Sequence, residues 1–117
     1  MITHAPATVE TMCVHRLREA IRALARLRTA HLPALDVAIA LDRPLPAARL
    51  RMIDEALELA DAAIAHGEVL AERGPTDEIA ALTAIATSAR ATIRPRVCAL
   101  LALHVVDVDR ALAAMVG

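Results

Sequence analysis

Phenylalanine, tryptophan, tyrosine, lysine, asparagine and glutamine are all absent from this 117-residue chain. Without aromatic rings, a core must be built from thin layers of alanine, leucine and isoleucine, so the elements that share it must pack closely. Glycine is scarce, with three residues. β-Branched residues do not alternate along extended runs, and strands are not expected. No apolar run is long enough to cross a bilayer, because the longest, Val97 to Val106, is interrupted by His104. Met1 to Glu10 lacks the hydrophobic segment of a secretory signal, so a cytoplasmic location with no membrane partner is expected. There the two cysteines, Cys13 and Cys98, are expected as free thiols rather than as a disulfide. A net charge of -1 gives nucleic acid no general attraction. Gly-rich phosphate loops, Cys-x-x-Cys, His-Glu-x-x-His, nucleophile elbows and the Glu-x-x-His pair of ferritin-like bundles are missing too.

What is present is rich in alanine, leucine and arginine, all strong helix formers. One domain over residues 1–117 is expected, all-α, folded as an up-down-up-down antiparallel four-helix bundle. The first helix spans about Thr8 to Leu41, kinked or split near Pro33. Its seam is Cys13, Leu17, Ala20, Leu24, Leu27, His31, Ala34 and Ala38, in steps of three and four. A turn through Asp42-Arg43-Pro44-Leu45-Pro46 leads to a second helix over about 46–73. Ile53, Leu57, Ala60 and Ile64 form its seam, flanked by Ala56, Leu59 and Ala63. Gly67 lies inside this helix, at a cost of roughly 1 kcal/mol relative to alanine unless close packing needs it. After Gly74-Pro75-Thr76, with Thr76 as N-cap, a third helix runs to about Ile93, with Ile79, Leu82, Ile85, Ala89 and Ile93 facing inward. Pro95 marks a third turn. The fourth helix is apolar over much of its circumference. With a mean hydropathy of +0.49, this helix or the third is expected to be covered by a second copy in a homodimer.

Charge is unevenly placed. Residues 9–31 carry Arg16, Arg18, Arg22, Arg26 and Arg28, whereas 46–73 carry Asp54, Glu55, Glu58, Asp61, Glu68 and Glu72. Complementary faces on the first two helices are expected, the other reading being an arginine stripe for phosphates.

Three stretches resemble the cytosolic copper storage proteins, four-helix bundles lined with cysteine. Leu35-Asp36-Val37-Ala38-Ile39-Ala40-Leu41-Asp42 is similar to the end of that family's first long helix. Ala60-Asp61-Ala62-Ala63-Ile64-Ala65-His66-Gly67-Glu68-Val69-Leu70 is similar to a segment of its second. Arg96-Val97-Cys98-Ala99, with Arg110-Ala111-Leu112, resembles the start and end of its last. Where the family has cysteines this chain has Ala38, Leu59, Ala63, Ala102, Val105 and Asp109, and Cys98 alone keeps one. The resemblance therefore implies the bundle fold and a cysteine-depleted relative that binds few metal ions, with Cu(I) as the cofactor, since thiolate sulfur suits that ion.

Three functions follow as expectations. In the first, Cys98, Met52 and His31 bind one or two Cu(I) ions. In the second, His31, His66 and Asp109 converge in an internal pocket that binds a small molecule or performs acid–base chemistry. A buried Asp109 needs such a partner, because an unpaired carboxylate in an apolar seam is costly. In the third, the bundle is structural and has no site. The sequence defines no enzymatic class among these.

Overall fold

The computed structural model describes the backbone of residues 5–74 and 77–116, and the side chains of 9–74, 77–103 and 108–116. Among the described residues all regular structure is helical: α1 Ala5–Ala40, α2 Ala47–Arg73 and α3 Asp77–Val116. Each helix packs against both others. The all-α expectation holds, but there are three helices where the sequence suggested four. Pro33 neither kinks nor splits α1, and α3 runs through Pro95 without a turn. A proline deprives the carbonyl four residues earlier of its donor. Those carbonyls belong to Thr29 and Ala91, and both residues, like both prolines, are exposed. Water can take the place of the lost bond there, so neither helix must break. Beside Pro95, the Arg96 guanidinium also donates to the Thr92 carbonyl.

The α1–α2 turn lies where Asp42-Arg43-Pro44-Leu45-Pro46 places it. Asp42 takes a left-handed conformation, φ 52°. Its N–H donates to the Ile39 carbonyl (3.2 Å), and the Arg43 N–H donates to Ala38 (2.9 Å), the paired bonds of a Schellman ending. Pro46 then precedes the first turn of α2. The Thr76 cap lies outside the described residues.

The core is a single cluster that includes Leu17, Leu24, Leu35, Ile53, Leu57, Ile64, Ile79, Ile93 and Leu100. The α1 and α2 seams are largely as the periodicity predicts, except that Leu59 is 76% exposed. On α3 the inward line is Ile79, Thr83, Ala86, Ile93, Val97 and Leu100, while Ile85 is exposed and Leu82 and Ala89 are half-buried. Thr83 can enter the core because its hydroxyl donates to the Ile79 carbonyl at 2.7 Å, leaving no unsatisfied donor.

The acidic face of α2 turns to α3, not to α1 as the charge blocks suggested. Arg94 spans Asp54 and Asp61, and Arg90 also reaches Asp61. On its other flank α3 meets α1 through Arg96–Asp36 and Arg18–Glu78. Both pairs are 60 positions apart, so α1 and α3 run parallel in constant register. That register sets Leu41 of α1 level with Leu101. The rest of α3 continues about 20 Å beyond the α1–α2 turn at 1.5 Å per residue, consistent with a longest dimension of 70 Å. Val108, Leu112 and Met115 on this overhang are exposed.

Candidate functional site

The sequence-derived donors do not converge. His31 is half-buried on α1, and its Nδ1 accepts a 3.1 Å hydrogen bond from Arg49 Nε of α2. Arginine can only donate, so Nδ1 must be the unprotonated nitrogen. Burial, and then the Arg49 charge, hold the His31 pKa below its usual value. Its free lone pair is thus already engaged, and a metal ion or a substrate proton would have to displace Arg49.

His66 is half-buried on α2, about 25 Å of helix away from Arg49. Asp109, expected inside the bundle, is exposed on the α3 overhang. From Arg96, level with Asp36, to Asp109 is about 20 Å of helix, directed away from His31. The expected His31, His66 and Asp109 cluster is not formed. The physical reason is the unbroken α3: without a turn at Pro95, its last part leaves the bundle instead of folding along it.

The soft donors are dispersed as well. Met52 is exposed, one turn before Ala56 on the side of α2 that borders α1. Asp54 and Asp61 mark the side that meets α3. Cys98 is exposed on α3, and Cys13 is buried on α1. By the α1–α3 register the two thiols stand roughly 35–40 Å apart along the bundle. Burial pushes the Cys13 thiol up, against a smaller opposing pull from Arg16. Among the described residues, no three His, Cys, Asp or Glu side chains gather where they would hold a metal ion. The positions that the resemblance would align with cysteines divide between core (Ala38, Ala63) and solvent (Leu59, Ala102, Asp109), so they do not line one channel. The side chains of Val105 and His104 lie outside the described residues. Cys98, Met52 and His31 stand on three different helices, with Cys98 about 10 Å of helix from His31 by the α1–α3 register.

His31 makes stability depend on pH. Its folded pKa lies below the unfolded value, so between the two the unfolded chain binds more protons and stability rises with pH. The contribution is complete above the unfolded pKa of about 6.5 and declines as pH falls through it, levelling off below the folded pKa. Urea midpoints measured from pH 8 to pH 5 should fall across this window in the native chain and fall less in His31→Leu. Equal slopes in the two proteins would remove His31 as the cause.

The feature that sequence reasoning missed is a groove. It consists of two hollows: one, about 630 Å³, lies between α1 and α2 and is lined by Ala20, Ala23, Ala56, Ala60 and Leu59, with Arg16, Glu19 and Arg26 at its edge. Toward the turn, a shallower hollow of about 470 Å³ is lined by Pro33, Ala34, Val37, Leu41 and Arg43. Val37, Leu41, Met52 and Leu59 are all exposed along the two helices that border it. The signal was in the sequence as apolar residues on the outer flank of both seams, but it was absorbed into the seams themselves.

No family model, no curated protein and no solved structure matches the chain. Among the described residues, no helix is long and apolar enough to cross a membrane.

Proposed function

We propose that this chain is an assembly module, a helical bundle that acts by associating with a second copy of itself. The observation that carries this reading is the overhang of α3. A helix segment this short is marginal alone in water, and it displays Val108, Leu112 and Met115 on one stripe at helical spacing, Met115 being 83% exposed. Of the three functions raised by the sequence, this is the structural one. The acid–base reading lacks convergent polar groups. A copper role of the kind the resemblance implies rests on dispersed donors. A homodimer also supplies what the four-helix expectation calls for, a fourth helix beside three, contributed by the other chain.

Sedimentation equilibrium of the full chain tests the reading. The expected result is a reversible dimer at micromolar concentration. A mass of one chain persisting to about 100 µM, where even a weak association near 10⁻⁵ M would be populated, would overturn it.

A further inference from the structure

The α1–α2 groove has the form of an empty helix seat. Its floor is alanine, which allows a helix backbone to approach closely, and Val37, Leu41 and Leu59 are exposed along it between the charged side chains of Arg16, Glu19, Arg26 and Arg43. The chain's own α3 cannot fill it. That helix is unbroken and lies on the opposite side of α1 and α2, where Arg90, Arg94 and Arg96 hold it.

We infer that the groove receives the α3 overhang of a second copy, and that the exchange is reciprocal. This rests on the self-association proposed above and says where it occurs. Place two copies end to end and antiparallel, related by a two-fold axis near the α1–α2 turns. Each overhang then runs down the outer face of the other copy. A residue some distance beyond Leu101 comes level with the residue of the partner's α1 at the same distance before Leu41. Leu112 falls beside Ala30, and the stripe from Val108 to Met115 runs beside the α1 segment between Ala34 and Leu27. The overhang, about 20 Å long, spans α1 from Ala40 to Arg26, bridging the hollow at Pro33–Leu41 and the edge of the hollow at Arg26. An isologous contact of this kind is self-complementary and closes at two chains.

Charge favours the same occupant. Arg26 and Arg43 line the groove. Neither is among the ion pairs formed by the described residues. Asp109 flanks the overhang stripe and is likewise outside those pairs. In the exchanged dimer it stands at a height between the two arginines, about 10 Å of helix from Arg26 and about 15 Å from Arg43, so its charge offsets theirs at long range rather than pairing with both.

The test uses one groove variant, Val37→Glu, and one overhang variant, Leu112→Glu. Both positions are exposed in the single chain, so folding, checked by circular dichroism, should be unaffected. In sedimentation equilibrium each variant alone should dimerise at least tenfold more weakly than the native chain. Mixed together, they should form a heterodimer tighter than either homodimer, because one of its two seats joins an intact overhang to an intact groove. Native-strength dimerisation of Val37→Glu with loss in Leu112→Glu would mean that overhangs pair with each other. That result would overturn the exchange while leaving self-association standing. Mixing without gain would overturn it as well.

Discussion

Gly67→Ala should destabilise the protein, although alanine is the better helix residue by about 1 kcal/mol. A Cβ at position 67 would collide with Thr83 Oγ1 and come within 3.2 Å of Leu17 Cδ1. Leu17 is fully buried and Thr83 nearly so. Thr83 has little room to yield, since it is β-branched and its hydroxyl is tied to the Ile79 carbonyl. Overpacking of this kind costs about 1–3 kcal/mol and outweighs the propensity gain. Gly67→Val, with two further methyl groups, should lose more than about 3 kcal/mol. Urea denaturation of the alanine variant, with and without Thr83→Ala, isolates the cause. Removing the colliding hydroxyl should restore much of the loss, a coupling of roughly 1 kcal/mol or more. Gly67→Ala more stable than the native protein would mean that the three helices do not meet closely there.

Leu57→Ala is the second large effect expected. Leu57 is fully buried at the middle of α2. In a core without rings, alanine neighbours cannot swing in to close the space. The loss should lie at about 2–5 kcal/mol. For 117 residues, total stability is roughly 6–18 kcal/mol, so this one change removes a large share. Ile85→Ala is the informative control, since Ile85 stands with the inward residues when α3 is read by hydrophobicity alone but is 52% exposed. Its effect should stay within about 0.5 kcal/mol. A loss at Ile85 comparable to that at Leu57 would contradict the register of α3.

These contrasts show where sequence reasoning reached and where it stopped. Regular three-and-four spacing located the buried faces of α1 and α2, because there the apolar stripe is narrow and nothing competes with it. On α3, apolar residues surround the helix, so periodicity could not choose among Leu82, Thr83 and Ile85. The choice is made by Arg90, Arg94 and Arg96, whose partners lie on other helices and are invisible along the chain. Proline was read as a break at 33 and at 95 because its local cost is real. Whether that cost ends a helix depends on whether water reaches the freed carbonyl, and that is a property of the packed bundle. The candidate site failed for the same reason. The resemblance puts Asp109 at an inward cysteine-equivalent position, and bringing it level with His31 and His66 further needs a turn at Pro95 that α3 does not make. The dispersal of Cys13 and Cys98 follows from register, which no single helix reveals.

The ion pairs along α3 have a consequence for the hand of the bundle. Three helices sharing one core, each antiparallel to the next in sequence, can be arranged in two mirror-related ways, with α3 to the left or to the right of the α1–α2 hairpin, and a core of alanine, leucine and isoleucine scarcely distinguishes them. In the mirror arrangement each helix would present its flanks to the opposite neighbours. The α1 flank that carries Arg16 and Arg26 would then face the α3 flank that carries Arg90 and Arg94, with Arg26 within about one helical turn of Arg90 in height. Asp54 and Asp61 would lose both of their arginines at once. Like charge against like charge on one side, and abandoned carboxylates on the other, make the mirror form the poorer of two otherwise similar packings. The surface charges of α3 therefore contribute less to how firmly this chain folds than to which of two chiral folds it adopts.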